Sequence, residues 1–146
     1  MSEFNTQRER YFYFSRITTR WMDNDVYQHI NNVNYYSFFD TVANEYLMLK
    51  GGLDIARSEV VGFIVSSSCQ YLSPISHPST IDAAFRVNKI GKSSVEYGVA
   101  VFKAEATTAS AWGTYTHVFV NRETNQSTPI PDTLRHALEQ VLIAAE

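Results

Sequence analysis

The most regular hydrophobic pattern in the chain lies between Asn32 and Lys50. Apolar side chains recur there every three or four positions, which is the spacing of one buried face of an α-helix. The members of this stripe are Tyr35, Phe39, Val42, Tyr46 and Leu49. Lys50 falls in the last turn and Gly51-Gly52 follows it, which is a typical end for a helix. The pattern therefore predicts one long helix over this stretch.

Most of the remaining chain has the pattern of β-structure. Runs of β-branched and aromatic residues, separated by short breaks, predict five strands. They cover Tyr11–Trp21, Phe63–Leu72, Ile81–Ile90, Ser93–Ala104 and Ala111–Val120. The regular lengths of the last four predict an antiparallel meander. A short C-terminal helix is also predicted, with Pro131 in its first turn. Its apolar positions are Leu134, Leu138, Val141 and Leu142.

This order of elements predicts an α+β fold, because the helices are segregated from most of the strands. The long helix would pack on one curved antiparallel sheet, and residues 1–146 would form a single domain. The polar stretch 1–10 is expected to be a flexible N-terminal segment and lacks the apolar run of a signal peptide. No stretch approaches the roughly 20 apolar residues that span a bilayer. We therefore expect a cytoplasmic protein without a membrane partner.

Composition adds an expectation about partners. The chain carries nine Tyr, nine Phe and two Trp among 146 residues, which is more than the core of a small domain usually holds. We therefore expect a subunit interface, an apolar ligand pocket, or both. A net charge of −3 without a basic run disfavours nucleic acid as a partner. The single cysteine, Cys69, excludes an intramolecular disulfide and fits a reducing compartment.

Several familiar motifs are absent from the sequence. There is no GxGxxG, no GxxxxGK[ST] and no GxSxG, so no common nucleotide cradle or serine nucleophile is indicated. The four histidines are scattered without zinc-ligand spacing, and no metal is expected. Cys69 falls within a predicted strand, where a small buried thiol is a more common role than a nucleophile.

Polar side chains concentrate in the loop from Met22 to Ile30 and at the start of the long helix. Part of this stretch is explained by structure, because Asn31 is expected to cap the helix. Asp23 is expected to organise the loop, with Arg20 as its partner. A helix N-terminus also presents free N–H groups that suit a developing oxyanion. A carboxylate beside it can activate water or attack a carbonyl, so this loop is the candidate reactive site.

The same stretch resembles the hotdog-fold acyl-thioester hydrolases through the pattern D-x-D-x-x-x-H-x-N-N-x-x-Y, which begins at Asp23. That family includes the 4-hydroxybenzoyl-CoA thioesterase-like enzymes and the plant acyl-carrier-protein thioesterases. Similar stretches follow in the family's order at Tyr71-Leu72-Ser73-Pro74, Gly91-Lys92-Ser93-Ser94 and Pro129-Ile130-Pro131. The resemblance implies a hotdog fold, in which a curved antiparallel sheet of about five strands wraps a long central helix.

The resemblance also implies catalytic roles for three residues of the loop. Asp25 matches the aspartate that acts as nucleophile or general base in the 4-hydroxybenzoyl-CoA thioesterase-like enzymes. Asn32 falls where that group uses a backbone N–H at the helix start to polarise the thioester carbonyl. His29 matches a histidine that the acyl-carrier-protein enzymes place near the reacting centre, as a helper or as a structural hydrogen-bonding group.

Substrate binding is implied for a second set of residues. Lys92, Ser93 and Ser94 match a turn that contacts the nucleotide end of coenzyme A in some members, although Lys92 also fits a solvated hairpin residue. Asn31 and Tyr35 complete the expected substrate-binding set beside the reacting centre. Candidate walls of an acyl pocket, each of which also fits a core position, are Phe38, Phe39, Phe63 and Tyr71.

The sequence departs from the family pattern at three places. Gln28 stands where many members have glycine, although the plant enzymes also carry glutamine there. Tyr27 replaces an asparagine of those plant enzymes. The strand Phe63–Ser68 contains no glutamate at their later catalytic position. An Asn-His-Glu assembly is therefore incomplete, and Asp25 would do most of the chemistry.

The resemblance thus implies an enzyme that converts acyl-CoA and water into a free acid and CoA. Coenzyme A would be part of the substrate, and no separate cofactor is expected. A homodimer or homotetramer with sites built between subunits is implied as well. Two other functions stay open: a non-catalytic binder of acyl-CoA or an aromatic ligand on the same fold, and an interaction domain whose aromatics form only core and interface.

Overall fold

The computed structural model describes residues 2–144. Its helices are α1 (Ser2–Thr6), α2 (Asn32–Leu49) and α3 (Asp132–Glu139), with 3-10 turns at Arg8–Arg10 and Trp21–Asp23. Its strands are β1 (Tyr13–Thr18), β2 (Val60–Ser67), β3 (Gln70–Tyr71), β4 (Thr80–Ile90), β5 (Ser94–Lys103) and β6 (Ala111–Asn121). The predicted α+β class is confirmed, and the long helix begins and ends within one residue of its predicted limits.

All strands belong to one antiparallel sheet, in the order β1-β4-β5-β6-β2, and β3 also pairs with β6. The strands β4, β5 and β6 form the predicted meander. A meander of all four later strands would place β2 beside β4, and that part of the prediction is wrong. The strand β1 takes that position instead, and β2 forms the opposite edge of the sheet.

The single strand predicted over Phe63–Leu72 is divided into β2 and β3. At the break, the Ser68 backbone N–H donates to the Thr114 carbonyl oxygen at 2.9 Å, and the two hydroxyls lie 3.0 Å apart. The Ser68 carbonyl oxygen occupies the space where a Cβ at position 113 would stand, so only glycine fits at Gly113. Cys69 lies at this break and is half-buried, which differs from its predicted position within a strand.

The helix α2 lies across the sheet and forms the core with it. Its inner face buries Phe39, Val42 and Leu47 completely, and the sheet contributes equally buried rings such as Phe85 and Phe119. Burial of each such side chain stabilises the fold by about 1.5–3 kcal/mol. The aromatic surplus is therefore largely used in the core, and the expected pocket walls Phe38 and Phe39 belong to it.

The N-terminal segment packs on the other face of the sheet, where a second apolar cluster includes Tyr11 and Phe102. Arg8 forms an ion pair with buried Asp82 at 2.8 Å and stacks over the Phe102 ring. The Tyr11 hydroxyl donates to the Asn5 carbonyl oxygen at 2.7 Å. This packing differs from the flexible segment expected over residues 1–10, of which Met1 lies outside the described residues.

The C-terminal helix α3 is shorter than predicted. Pro131 precedes its first residue, and the apolar positions Leu134 and Leu138 are buried. Leu142 lies beyond the helix and forms a parallel bridge with Val87 of β4. Among residues 2–144, no helix is both long enough and apolar enough to cross a membrane.

Candidate active site at the start of the long helix

The loop between β1 and α2 is organised by the buried carboxylate of Asp23, which is 2% exposed. The Arg20 backbone N–H donates to Asp23 Oδ2 at 2.8 Å, and the Arg20 guanidinium donates to Oδ1 at 2.8 and 3.1 Å. The predicted partnership of these two residues is confirmed by this geometry. A buried carboxylate needs such partners, because its charge is otherwise costly to desolvate.

The same residue ties the loop to the helix. The Asp23 carbonyl oxygen accepts hydrogen bonds from the Asn31 backbone N–H at 2.9 Å and from Asn34 Nδ2 at 3.0 Å. A second tie runs to the chain before β4, where the Asn24 side chain pairs with the backbone of His77 in both directions, at 3.0 and 3.4 Å. The loop is therefore fixed at both ends, although it carries no regular strand or α-helix.

Asp25 lies in the middle of this loop and is half-buried. Its Oδ1 accepts a hydrogen bond from the Tyr27 backbone N–H at 2.9 Å, and its Oδ2 accepts one from Asn31 Nδ2 at 3.3 Å. Its backbone N–H donates to the His29 carbonyl oxygen at 2.9 Å. These contacts direct the carboxylate toward the residue that caps α2.

Gln28 closes the turn in a left-handed conformation, with φ 68°. Its backbone N–H donates to the Asp25 carbonyl oxygen at 2.9 Å. Glycine adopts this conformation without steric cost, whereas a residue with a Cβ pays about 1–2 kcal/mol. The conformation explains why glycine suits this position in the resembling family, and it shows that glutamine supports the same turn here.

The backbone donors at the helix start are only partly paired. Asn31 caps α2 as predicted, because its Oδ1 accepts from the Val33 N–H at 3.0 Å and its carbonyl oxygen accepts from the Asn34 N–H at 3.0 Å. No described residue accepts a hydrogen bond from the Asn32 N–H, which is one of the four donors that a helix N-terminus leaves unpaired. A free N–H and a half-buried carboxylate therefore flank the same side chain, Asn31.

His29 contributes its backbone to the turn and leaves its ring free. Its carbonyl oxygen accepts from Asp25, whereas no described residue makes a hydrogen bond with its imidazole. The exposed ring lies in the wall of a cavity that also contains Asn32. This arrangement does not support a structural hydrogen bond for the imidazole.

Two cavities meet at this loop. The larger, of about 730 Å³, is lined by Asp25 and Asn31 together with exposed apolar side chains of the loop, such as Trp21 and Tyr27. The smaller, of about 280 Å³, contains Asn32 and His29 in its wall. Asp25 and Asn32 thus line different cavities on either side of the cap residue Asn31, and a bound molecule that reaches both residues would span the two cavities.

Two tyrosines form the aromatic wall of the smaller cavity. The rings of Tyr35 and Tyr71 pack edge-to-face, with centroids 5.2 Å apart, and the Tyr71 hydroxyl donates to the Asn32 carbonyl oxygen at 3.3 Å. Desolvation raises the pKa of both phenols, so they are neutral at pH 7. Burial also raises the pKa of the nearby Cys69 thiol, which argues against a thiolate nucleophile.

The predicted coenzyme A turn lies at the opposite end of the molecule. Lys92, Ser93 and Ser94 connect β4 to β5, whereas the Asp25 loop contacts the chain just before β4 begins. Since β4 has 11 residues, the two regions are separated by roughly 30 Å at about 3.3 Å per residue. Within one chain, the Lys92 turn and Asp25 therefore do not belong to the same site.

Part of the site has no signal in the sequence. Asn34 and the Asn24–His77 pair hold the loop, and no pattern assigns them that role because the second pair spans 53 residues. Tyr71 was expected only as a possible wall, and its bond to the helix start joins residues 39 apart. The remaining expected wall, Phe63, lies on the exposed edge strand β2.

Comparison with known proteins identifies solved structures with the same fold. The PA5185 protein of Pseudomonas aeruginosa is 47% identical, with a TM-score of 0.94 over 97% of this chain and 99% of that one. A 1,4-dihydroxy-2-naphthoyl-CoA thioesterase from Synechocystis is 12% identical, with a TM-score of 0.78 over 88% and 96%. The SAV2348 protein of Staphylococcus aureus, solved in complex with CoA, is 16% identical, with a TM-score of 0.80 over 91% and 87%. Among curated proteins, none matches the chain.

A family model covers most of the chain and includes every part of the site. The model of the thioesterase-like superfamily matches residues 19–138, from the end of β1 to α3. With the structural matches, this confirms the expected hotdog fold. The chain therefore belongs to the thioesterase-like superfamily.

Proposed function

We propose that this protein hydrolyses an acyl-CoA thioester, with Asp25 as the acid–base or nucleophilic group and the Asn32 N–H as the oxyanion donor. The observation that carries the proposal is the unpaired Asn32 N–H directly after the cap residue Asn31, whose side-chain amide bonds the Asp25 carboxylate. An unpaired donor at the positive end of an 18-residue helix suits the negative charge that develops on a thioester oxygen.

The reaction needs only groups that the loop contains. With the thioester oxygen on the Asn32 N–H, a water oxygen bonds to the carbonyl carbon while Asp25 accepts the water proton. The C–S bond then breaks, and the leaving thiolate takes that proton to give CoA and the free acid. Alternatively, Asp25 attacks the carbonyl carbon directly and expels the thiolate, and water then cleaves the resulting anhydride. In either course, Asn31 orients the carboxylate.

Coenzyme A recognition is proposed to use a second copy of the chain. Lys92, Ser93 and Ser94 lie roughly 30 Å from the Asp25 loop of the same chain. The Lys92 side chain is exposed, and no described residue pairs with it. Its ammonium group suits the phosphates of a nucleotide, so a neighbouring subunit that places its turn beside this loop would complete the site. The CoA complex of the SAV2348 protein supports a CoA-type ligand for this fold.

A homodimer through β2 is the assembly that we propose. This strand forms one edge of the sheet, and its residues Phe63, Ile64 and Val65 are 45%, 40% and 58% exposed. An apolar edge strand with free backbone groups favours pairing with another strand. Val65→Lys should lower the association constant of the dimer by about tenfold or more, since it places a charge on that edge. Light scattering over a range of concentrations would measure this.

The catalytic proposal is tested by the Asp25→Asn substitution, which keeps the size of the side chain and removes its charge. We expect the kcat on acyl-CoA substrates to fall by about 10²–10⁴, since a general base contributes on that order. Asp132→Asn, at the start of α3, is the matched control and should keep wild-type activity. Full activity of Asp25→Asn would contradict the proposal.

The same experiment distinguishes the competing function of a non-catalytic binder. Such a protein would release no free CoA from any thioester, yet acyl-CoA would raise its midpoint of thermal unfolding. Release of CoA by the wild type, and its loss in Asp25→Asn with an unchanged unfolding midpoint, would support hydrolysis. Thermal protection without product, in the wild type, would contradict it.

A further inference from the structure

We infer that the side chain of His77 is a positioning residue for the proposed hydrolysis, because it holds the chain that leads into the Asp25 loop. This role rests on the proposed function and adds a residue to it. Asp25 carries the chemical step, and His77 acts on Asp25 only through the loop. The imidazole of His77 contacts Thr19 by a hydrogen bond and Trp21 by its ring.

The segment that holds the loop is the irregular chain of residues 75–79, which leads into β4. Hydrogen bonds join it along its whole length to the loop and to the chain that follows β1. Because they are spread in this way, they fix the two segments to each other. The bonded pairs are Ile75 and Ile30 (2.7 Å), Ser76 and Gln28 (3.0 Å), His77 and Asn24 (3.0 and 3.4 Å), and Ser79 and Thr19 (2.9 to 3.0 Å).

His77 differs from its neighbours in this segment because both its backbone and its ring take part. Its backbone pairs with the Asn24 side chain, and its Nδ1 lies 2.8 Å from the hydroxyl oxygen of Thr19, which is 3% exposed. Its ring also packs edge-to-face against Trp21, with centroids 6.3 Å apart. Trp21 begins the 3-10 turn that leads to Asp25. One side chain therefore anchors the chain on both sides of the entry to this turn.

The imidazole supports the reacting centre without lining it. The cavity that Asp25 lines also has Trp21 and Asn24 in its wall, and these are residues that His77 contacts. His77 itself belongs neither to this wall nor to the wall of the smaller cavity. Loss of the imidazole would therefore remove a support of the wall and leave every group that lines it. Displacements of about 1 Å in an active site can lower the rate by about 10²-fold.

The Thr19 hydroxyl accommodates the imidazole in either protonation state. It accepts from the Ser79 N–H at 2.9 Å, and its own proton can go to the Ser79 carbonyl oxygen or to His77 Nδ1. A ring with a bare Nδ1 accepts that proton, whereas a protonated ring donates from Nδ1 and the hydroxyl donates to the carbonyl. No described Asp, Glu, Lys or Arg side chain forms a hydrogen bond or an ion pair with the ring. A positioning role of His77 therefore adds no pH dependence to kcat.

The test compares three substitutions of His77 in the full chain, by steady-state kinetics on acyl-CoA substrates. His77→Ala should lower kcat about tenfold or more and change KM less than about threefold, since orientation is lost and no binding group is removed. His77→Asn places an amide at the level of Nδ1 and should recover kcat to within about threefold of the wild type. His77→Gln places its amide one atom further out, at the level of Nε2, and should recover less. His136→Ala, on an exposed residue of α3, is the matched control and should keep wild-type values.

Amide hydrogen exchange gives a second measurement that does not depend on catalysis. The N–H groups of Asp25 and Gln28 are bonded within the loop, to the carbonyl oxygens of His29 and Asp25. Their exchange should be at least about threefold faster in His77→Ala and should return to the wild-type rate in His77→Asn, because the loop opens locally. A general loss of stability would instead accelerate the buried amides of β5 to the same extent.

Wild-type kcat in His77→Ala, or equal kcat in the alanine and asparagine variants, would overturn the inference. A different shape of kcat against pH in His77→Asn would also overturn it, because the ring itself would then transfer a proton. If His77→Ala does not fold, the asparagine and glutamine variants decide, and equal kcat in these two counts against a bond at Nδ1. In each of these cases, hydrolysis by the wild type that Asp25→Asn loses leaves the proposed function intact. A wild type that hydrolyses no thioester contradicts the proposed function and the role of His77 together.

Discussion

The Asp25 loop (residues 23–31) and the Lys92 turn (residues 91–94) are both polar, yet they are built in different ways. In the loop, side-chain bonds are added to the backbone ones, as Asp23, Asp25 and Asn31 tie the segment to itself and to α2. In the turn, the Lys92 backbone carbonyl oxygen accepts from the Ile130 N–H and from the Arg135 guanidinium. The Lys92 side chain is left exposed.

This difference leads us to expect the reaction at the Asp25 loop and the binding of a phosphate at the Lys92 turn. A reacting group must be held in one orientation, because small displacements cost orders of magnitude in rate. The bonded side chains of the Asp25 loop meet that requirement. A phosphate contact depends mainly on charge, and a free lysine on a rigid backbone turn suffices for it. Substitutions in the loop should therefore change kcat, and substitutions in the turn should change KM.

After Asp25 itself, the largest effect is expected from Asn31, which serves both the cap and the carboxylate. Asn31→Ala should lower kcat about 10- to 100-fold and cost about 1 kcal/mol of unfolding free energy. Asn31→Ser restores a capping oxygen but not the Nδ2 donor to Asp25, so it should recover stability and not kcat. Steady-state kinetics and urea unfolding measure the two effects. Equal recovery of both by serine would contradict the separate role of the Asp25 contact.

A buried histidine of the sheet makes the stability of the fold depend on pH, which limits the pH range in which variants of the site can be compared. His117 is 3% exposed and pairs with the Tyr97 hydroxyl at 2.8 Å, and desolvation lowers its pKa to about 4. As the pH falls from 6.5 toward 4, this histidine binds a proton in the unfolded chain, where its pKa is near 6.5, but stays unprotonated in the folded chain. Stability should therefore fall on acidification.

Between pH 7 and pH 5 the expected loss is about 2 kcal/mol of unfolding free energy, from about 1.4 kcal/mol for each pH unit below 6.5. Urea unfolding at the two pH values measures it. An unchanged free energy would show that His117 is not held neutral. Below pH 6.5, a loss of activity must be compared with this loss of stability before it is assigned to Asp25.

A smaller effect is expected at Gln28, which shapes the loop through its backbone. Gln28→Gly should keep the turn, whereas Gln28→Val should cost about 1–2 kcal/mol, because a β-branched residue is disfavoured at φ 68°. Kinetics of the two variants should diverge in kcat, since Asp25 is bonded to this residue's backbone N–H. Equal unfolding midpoints for the two variants would contradict a strained position.

The smallest effect is expected in the Lys92 turn. Lys92→Ala should raise KM for acyl-CoA several-fold at low ionic strength and leave kcat within about twofold, because it removes one exposed charge. The ratio of the variant's KM to the wild-type KM should fall at high salt, since screening weakens the wild-type contact. Lys103→Ala, on an exposed residue at the end of β5, is the control with equal loss of charge. Equal KM changes in both variants would show that Lys92 makes no specific contact.

Local patterns predicted what depends on neighbours in sequence. The limits of α2 follow from its 3.6-residue stripe and from Gly51-Gly52, and the Asn31 cap and the Arg20–Asp23 pair join residues within three positions. The division between β2 and β3 was not predictable in this way. It depends on the approach of Ser68 to Gly113, which are 45 positions apart and come together only when β2 pairs with β6.

By itself, the sequence determined the α+β class, the long helix and the loop that carries Asp25, because periodicity, capping and charge pairing are short-range effects. Only the tertiary structure decided that Tyr71 contacts the helix start and that Lys92 lies at the far end of the sheet. Both depend on strand order and strand length, which are set by packing the whole sheet against α2.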